Sequence, residues 1–299
     1  MQTVLEILNK TTEYFKKCGV PDPRLDAQYI LAHGLGMTRM DLYLKFDRPV
    51  TDEELAKMRP MVQRRGKREP LQHIVGSTSF CGHEIKCDAR ALIPRPETEV
   101  LVEQALLLIK DIPTPHVIDV GTGTGAIAIA IALARPEAVV FACDISDEAL
   151  ALTKENIAHH HLEDRIMLCK SNLLDTLCKS NQLEGIGMEA QFDLIASNLP
   201  YIPTQTLPSL QAEVLKFDPT LALDGGADGL LLINKLLNTA LSHLKEGGKI
   251  LLEVGEGQSE SLQSKLLPST GLEFVKTYAD LAGVKRFPLF RKKISVETM

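Results

Sequence analysis

The chain has 299 residues, 44% of them hydrophobic, and a formal net charge of -6. That length fits one large domain or two unequal ones with a sizeable buried core. The acidic balance argues against nonspecific nucleic-acid binding, and the longest apolar run, residues 126–134, is too short to cross a bilayer.

Cysteine spacing and the first residues bear on the cellular compartment. The cysteines are scattered, and no pair has the short spacing of a zinc site or a redox dithiol. The N-terminus lacks the charged segment and apolar segment that mark a secretory signal. We therefore expect a cytoplasmic protein with reduced thiols, no bound metal and no membrane segment. The cysteines are Cys18, Cys81, Cys87, Cys143, Cys169 and Cys178.

The first 70 residues show apolar positions at helical spacing and no convincing strand. Helix ends are expected near residues 19–21 and 34–36, and Thr51 with Glu54 forms a capping box for a further helix. Residues 1–70 are therefore predicted to be a small helical domain that recognises a partner or braces the rest of the chain. Its basic run, residues 64–68, is interpreted as a solvated helix end; a binding patch is the alternative.

Residues 71–90 are predicted to be a linker built on a β-hairpin, because two β-type runs flank Gly82. Arg95 then lies between two prolines, before a helix that is expected to begin at Pro96 and to end at about Lys110. Such a stiff segment favours a side chain that positions a substrate. The alternative is a surface arginine in a linker.

Residues 91–299 are predicted to form a doubly wound parallel α/β sheet, since strand and helix patterns alternate along them. Strands are expected at 116–120, 139–144 and 165–170, from Phe192, and at 249–254; helices are expected at 126–134, 147–158, 228–244 and 259–267. Two final runs, 272–278 and 286–291, are expected to pair as an antiparallel hairpin.

The first strand of this domain leads into Gly121-Thr122-Gly123-Thr124-Gly125 and then a buried helix. Glycines let the backbone approach a ligand at a helix N-terminus. The second strand ends in Asp144, roughly 20 residues after the loop, the position of a ribose-binding carboxylate. The third strand ends at Ser171-Asn172-Leu173, where Asn172 is expected to contact an adenine. These features predict a nucleoside-containing cofactor; a nicotinamide dehydrogenase is a rival, because Gly121-x-Gly123-x-x-Ala126 also fits a dinucleotide fingerprint.

The strand that starts at Phe192 runs into Asn198-Leu199-Pro200-Tyr201. Pro200 cannot donate to a sheet ladder, so Asn198 is expected at the carboxyl end of a buried strand, where ligands bind in open parallel sheets. An Asn amide and a Tyr ring suit a planar substrate that carries an NH2 group. The alternative is an ordinary turn with a capping Asn.

Two of these motifs resemble those of a known enzyme class. Asp119-x-Gly121-x-Gly123-x-Gly125 resembles the S-adenosylmethionine loop of class I methyltransferases, and Asn198-x-Pro200-Tyr201 resembles the turn of their amino-methylating branch. With four further segments, the whole chain resembles the HemK/PrmC family of peptide chain release factor N5-glutamine methyltransferases. Those segments are residues 69–76, 92–99, 224–230 and 251–255.

The resemblance implies a Rossmann-like class I methyltransferase fold, S-adenosylmethionine as cofactor, and methylation of the glutamine in the Gly-Gly-Gln motif of class 1 release factors. No direct nucleic-acid partner is then expected. The Asn198 side-chain oxygen and the Leu199 carbonyl would accept the two N–H bonds of the substrate amide. Candidate cofactor contacts are Gly121, Thr122, Gly123, Thr124, Gly125, Asp144, Asn172, Leu173 and Asn198; candidate catalytic and substrate contacts are Asn198, Leu199, Pro200 and Tyr201, with Arg95 also at the substrate.

Two positions depart from the family's pattern. Leu199 stands where a second proline is usual, so the turn also resembles that of rRNA adenine N6-dimethyltransferases, and Asn172 stands where an acid is often found. Leucine keeps its backbone carbonyl, so activity is expected with a less rigid loop. Two alternatives follow: an RNA adenine N6-methyltransferase that uses the basic run 64–68, and a cofactor-binding regulatory module without transfer activity.

Overall fold

Two compact units make up the chain in a computed structural model that describes residues 2–175, 191–265 and 271–293. The first unit is Met1–Ser77 with Leu210–Asp218, and the second is Thr78–Ser209 with Pro219–Met299. Cys178 and the end of a predicted helix, residues 266 and 267, lie outside the described residues. No helix in the described part of the chain combines the length and apolar character of a membrane span.

The first unit is helical, as predicted. Thr51 and Glu54 form the predicted capping box, with the Thr51 hydroxyl accepting the Glu54 N–H at 3.2 Å. The break at residues 34–36 is also confirmed, because Gly36 takes a left-handed φ of 62° there. The core includes Phe15, Ile30 and Leu31, all fully buried. The helices are α1 Val4–Lys17, α2 Pro23–Leu35, α3 Arg39–Leu44, α4 Asp52–Gly66, α5 Leu71–Val75 and, later in the chain, α9 Ala212–Phe217.

The basic run at the end of α4 is only partly the predicted solvated helix end, because Arg64 and Lys67 are exposed whereas Arg65 is buried. The Arg65 side chain is only 5% exposed; its Nε donates to Asp26 Oδ2 at 2.6 Å and its Nη1 to Glu213 Oε1 at 3.0 Å. Arg68 donates to both oxygens of Glu213, each at 2.6 Å. Arg64 is paired with Glu69. The partners of Arg65 come from distant parts of the sequence, so local patterning could not reveal them.

The segment that follows α4 is only partly a hairpin. Its first residues form α5, which the sequence analysis assigned to β structure; Gly76, with φ 85°, ends this helix. A segment of five residues is too short for its periodicity to distinguish a helix from a strand, which explains the error. The hairpin itself is confirmed. Its strands are β1 Ser77–Phe80 and β2 His83–Lys86, joined through Gly82.

The second unit is built on one seven-stranded sheet with the order β5-β4-β3-β6-β7-β9-β8. The first five strands in this order are parallel, and β9 is antiparallel to both β7 and β8. The strands are β3 His116–Val120, β4 Val139–Asp144, β5 Ile166–Lys170, β6 Phe192–Ser197, β7 Leu244–Leu252, β8 Leu272–Ala279 and β9 Lys285–Lys292. The predicted doubly wound sheet with a terminal antiparallel hairpin is confirmed.

Apolar side chains cover both faces of this sheet. Along β4, Val140 and Ala142 belong to one buried cluster, whereas Phe141 and Cys143 belong to the other. This alternation follows from the two-residue period of a strand. The helices of this unit are α6 Thr98–Leu108, α7 Ala126–Ala134, α8 Asp147–His159, α10 Leu231–Thr239 and α11 Gln258–Lys265.

Several element bounds differ from the predictions. α6 begins at Thr98 rather than at Pro96, and α10 ends at Thr239 rather than at about residue 244. α10 begins at Leu231 rather than at residue 228, because Gly229 has a φ of 76° and the Asp228 carboxylate accepts the Leu230 N–H at 3.0 Å. β7 begins at Leu244 rather than at residue 249, since the strand passes through a register shift and Gly247, with φ 71°, lies within it. Gly247 and Gly248 both lie inside this strand.

Candidate functional site

The strand order of the second unit reverses between β3 and β6, and a cavity lies at the carboxyl ends of these strands. This is where open α/β sheets bind ligands. Most of the predicted site residues line it. They are Arg95, Gly121, Thr122, Gly123, Thr124, Asp144, Asn172, Leu173, Asn198, Leu199 and Pro200. Gly125 and Tyr201 are the predicted site residues that do not.

The glycine loop between β3 and α7 forms one wall of the cavity. Gly121, Gly123 and Gly125 all have left-handed φ values, of 74°, 58° and 84°. A Cβ atom on Gly121 would lie 2.9 Å from Leu199 Cδ2, so this position needs glycine for space as well as for conformation. At its glycine positions the loop therefore presents backbone to a ligand, and Thr122 and Thr124 also line the cavity.

Asp144 ends β4 beside this loop. One carboxylate oxygen accepts the Gly123 N–H at 2.9 Å and the other accepts the Ser146 N–H at 3.0 Å. Because each carboxylate oxygen has two lone pairs, both can still accept a hydroxyl. The carboxylate is thus fixed in place with acceptor capacity left.

Asp119 anchors the loop from inside the sheet. It is fully buried, and its Oδ2 accepts from the Thr122 hydroxyl at 2.6 Å and from the Ala128 N–H at 3.3 Å. Burial raises the pKa of Asp119 to about 7, although these two hydrogen bonds oppose the rise. The carboxyl therefore ties the loop to the first turn of α7.

Two buried residues of α8 hold the same loop and were missed in the sequence. The Thr153 hydroxyl donates to the Gly123 carbonyl at 2.7 Å, and Asn156 Nδ2 donates to the Thr124 carbonyl at 2.8 Å. Asn156 Oδ1 also accepts the Lys86 N–H of the hairpin at 2.8 Å. Polar residues on the buried side of an otherwise apolar helix face were the available signal.

The turn after β6 lines the cavity next to Gly121 of the glycine loop. Ser197 ends the strand and donates to the Val120 carbonyl at 2.6 Å, which fixes the strand end to β3. Asn198 follows, and its Nδ2 donates to the Thr98 hydroxyl at 3.2 Å. Leu199 is 5% exposed and packs in the core on this side of the sheet.

A glycine-rich segment supports this turn from behind. The Gly225 N–H donates to the Ile202 carbonyl at 2.9 Å, and the Ile202 N–H donates to the Leu223 carbonyl at 3.1 Å. A Cβ atom on Gly225 would lie 2.7 Å from the Pro200 carbonyl oxygen, and one on Gly229 would lie 2.1 Å from the Tyr201 carbonyl oxygen. Side chains at these two positions would displace the turn that carries Asn198.

Comparisons with known proteins agree with this architecture. A family model described as the PrmC N-terminal domain matches residues 6–76, and one described as a methyltransferase domain matches residues 113–270. The release factor glutamine methyltransferase of Rhodopirellula baltica is 38% identical over 97% of this chain and 96% of its own length. That of Geobacter sulfurreducens is 39% identical over 95% of both chains. The chain belongs to the release factor glutamine methyltransferase family.

Membership of this family makes the chain a methyltransferase with S-adenosylmethionine as its cofactor, as the sequence predicted. The fold is shared more widely. The hMettl16 catalytic domain, solved with an RNA hairpin, superposes with a TM-score of 0.55 at 15% identity, over 83% of this chain and 84% of that one. At that identity the likeness concerns the fold alone.

The two departures from the family's pattern are both at the cavity. Leu199 fills the space over Gly121 with its side chain, so the missing proline ring is replaced by apolar packing. Asn172 is exposed, and its Nδ2 donates to the Asp175 carboxylate oxygen Oδ2 at 3.4 Å.

Tyr201 lies behind the cavity wall. Its hydroxyl donates to Glu253 Oε1 at 3.4 Å, and burial raises its pKa to about 12. The expected packing of this ring on the substrate amide stays a prediction. Glu253 itself is 2% exposed and accepts from the Thr98 hydroxyl at 2.7 Å. Neither Thr98 nor Glu253 was a candidate site residue, although an acid that directly follows an apolar strand was a usable signal.

No cluster of three or more metal-ligating side chains occurs in the described ranges.

Proposed function

We propose that this chain methylates the side-chain nitrogen of the glutamine in the Gly-Gly-Gln motif of class 1 release factors. The observation that carries the proposal is one cavity that joins a glycine loop to an Asn198 amide and the adjoining Leu199 backbone. The names of the relatives supply the substrate class.

Positioning dominates the proposed chemistry. A glutamine amide nitrogen is nearly non-basic, because its lone pair is delocalised into the carbonyl. Asn198 Oδ1 and the Leu199 carbonyl accept its two N–H bonds and so fix the direction of that lone pair. S-adenosylmethionine, when bound, supplies a methyl group on a positively charged sulfonium. Arg95, on the same cavity wall, helps to place the substrate segment.

The residues present fit the cofactor. The three left-handed glycines of the loop leave backbone facing a ligand at their positions, beside Thr122 and Thr124. We assign residues 121–125 to the amino-acid and ribose side of S-adenosylmethionine, and Asp144 to its ribose hydroxyls. Asn172 and Leu173, which follow the end of β5, are assigned to the adenine.

The helical domain, residues 1–70, is proposed to recognise the intact release factor, with residues 71–90 as linker and 91–299 as the methyltransferase domain. A Gly-Gly-Gln loop offers few side chains for specificity, so discrimination needs surface beyond the pocket. The helical unit exposes large apolar side chains on and after α3. These are Met40 (67% exposed), Tyr43 (54%), Leu44 (72%) and Phe46 (51%).

We also propose that the enzyme acts in the cytoplasm, where release factors work, and that it binds no nucleic acid directly. The basic run 64–68 was the feature that suggested RNA. Arg64, Arg65 and Arg68 all have carboxylate partners within the first unit, which leaves little of their charge for phosphates.

The deciding experiment uses S-adenosylmethionine labelled in its methyl group. Purified protein is incubated with a class 1 release factor and, in parallel, with the same factor whose Gly-Gly-Gln glutamine is replaced. Label should enter the first factor and not the second. Label in both factors would move the target elsewhere, and tight cofactor binding without transfer would favour a regulatory module.

A further inference from the structure

A buried chain of polar side chains runs behind Asn198. Asn198 Nδ2 donates to Thr98 Oγ1 at 3.2 Å, and the Thr98 hydroxyl donates to Glu253 Oε2 at 2.7 Å. Tyr201 donates to the other Glu253 oxygen at 3.4 Å. Thr98 and Glu253 are 4% and 2% exposed. Side chains this deeply buried interact strongly with their hydrogen-bond partners, because water does not compete.

The donor and acceptor roles along this chain have one direction. An ionised carboxylate only accepts, so the single proton of the Thr98 hydroxyl is directed to Glu253. The Thr98 oxygen is then an acceptor toward Asn198, and only the NH2 side of the Asn198 amide can face it. The opposite end of that amide, Oδ1, is turned away from Thr98.

We propose that Glu253, acting through Thr98, sets which end of the Asn198 amide faces the substrate. The relay defined by Glu253, Thr98 and Asn198 keeps Oδ1 available to accept an N–H of the glutamine amide. A flipped Asn198 would present its own NH2 group to the substrate NH2, and two donors repel. Glu253 is thus a positioning residue, and this role rests on the proposed function.

Hydrogen bonds and a nearby cation favour the acceptor form of Glu253 against the effect of its burial. The pKa of Glu253 is raised above its ordinary value by burial, although hydrogen bonds from Thr98 and Tyr201 and the charge of Arg286 oppose that rise. Tyr201 keeps its proton, since burial raises its pKa to about 12, and so remains a donor. The backbone also holds Glu253 beside the turn, because its N–H donates to the Ser197 carbonyl at 2.9 Å.

Three single variants test the relay. Glu253→Gln leaves one acceptor oxygen for two donors, Thr98 and Tyr201, so the Thr98 hydroxyl loses its fixed acceptor and can donate to Asn198, which allows the amide to flip. Thr98→Val removes the hydroxyl at nearly constant volume. Both Glu253→Gln and Thr98→Val should lower kcat for the release factor roughly tenfold to a hundredfold, as expected for a misplaced reacting group. Thr98→Ser keeps the hydroxyl and should stay near the wild-type rate.

The double variant separates positioning from general damage. If Glu253 acts only through Thr98, Glu253→Gln should lower kcat no further in the Thr98→Val background. The relay would be overturned if the two substitutions lowered kcat by factors that multiply in the double variant. It would also be overturned if the loss of kcat came with a lower melting temperature and a weaker affinity for S-adenosylmethionine, measured by calorimetry. So would a Glu253→Gln enzyme of unchanged kcat. The wild-type enzyme is assayed first. If it does not methylate the release factor, the proposed function is refuted. If it is active and the variants are unaffected, the relay alone is refuted.

Discussion

Asn198 has two amide atoms with different tasks, and truncation removes both. In the proposed reaction, Asn198→Ala would leave the substrate amide with the Leu199 carbonyl as its remaining acceptor on this wall. Loss of one preorganised hydrogen bond at a reacting group lowers kcat roughly a hundredfold. Affinity for S-adenosylmethionine should change much less, because the loop and Asp144 remain.

Calorimetry for the cofactor and single-turnover methyl transfer measure these two quantities separately. Asn238→Ala, on the exposed side of α10, is the matched control and should change neither. Equal loss of transfer and cofactor binding in Asn198→Ala would assign Asn198 to the cofactor instead.

Asp119 predicts a pH dependence of folding stability. Its folded pKa of about 7 lies above the ordinary value of 3.8, because burial disfavours the charged form. Between these two values the folded protein retains a proton that the unfolded chain has released. The free energy of unfolding therefore falls as pH rises through this window, by at most about 1.4 kcal/mol per pH unit. Below 3.8 and above 7 this group adds no slope.

Asp119→Asn keeps an oxygen for the Thr122 and Ala128 bonds but cannot ionise. Denaturant titrations of the cofactor-free protein at pH 5 and pH 8 should show the variant gaining stability relative to wild type at the higher pH. Asn238→Ala, at an exposed position without an ionisable group, should keep a constant difference from wild type. A constant difference for Asp119→Asn as well would mean that the buried carboxyl titrates outside this window.

At the level of elements, the glycine-rich segment before α10 should control the catalytic turn sterically. Gly229 and Gly283 have similar left-handed φ values, 76° and 85°, but only a Cβ on Gly229 would clash, at 2.1 Å from the Tyr201 carbonyl oxygen. Alanine at either site should lose about 1 kcal/mol of stability through backbone strain. Only Gly229→Ala should also lower kcat.

Urea unfolding and steady-state kinetics of both variants give the comparison. Gly283 has open space around its Cβ position, so its variant isolates the strain. Equal kcat values in the two variants would show that the turn tolerates displacement of the Tyr201 backbone.

How far the elements were predictable depends on the range of the forces that define them. β3 and β4 matched their predicted bounds, because β-branched apolar runs end at a glycine loop and at an acid. β7 did not, since its start depends on pairing between Leu244 and Phe192, which are far apart in sequence. The relay is of the same kind: Thr98 and Glu253 meet only because α6 and the end of β7 come together.

At the scale of the whole molecule, the first unit is not continuous in sequence. Residues 210–218 belong to it, and Glu213 is the partner of both Arg65 and Arg68. Burial alone would raise the pKa of Glu213, yet the hydrogen bonds from these arginines lower it. Removing residues 1–70 would leave Glu213 without those partners, so truncation is a poor test of what the helical domain recognises. Substitutions at exposed residues of the helical domain test recognition without removing the partners of Glu213.

Leu44→Ser should therefore weaken methylation of an intact release factor while sparing a short Gly-Gly-Gln peptide. Leu44 is 72% exposed, so its removal leaves the helical core intact, and the peptide never reaches this surface. A contact at the centre of an interface is worth about 1.4 kcal/mol, or a tenfold rise in KM for the intact factor. Leu281→Ser, at a position 97% exposed in the second unit, is the matched control and should leave both substrates unaffected.

The pair of substrates decides between recognition and bracing. A rise in KM confined to the intact factor supports recognition by the surface around α3. Equal losses on factor and peptide would mean that the helical domain supports the fold of the methyltransferase domain. If Leu44→Ser behaves like Leu281→Ser on both substrates, recognition lies away from α3, because a serine on a contacted surface would remove apolar burial that the factor needs.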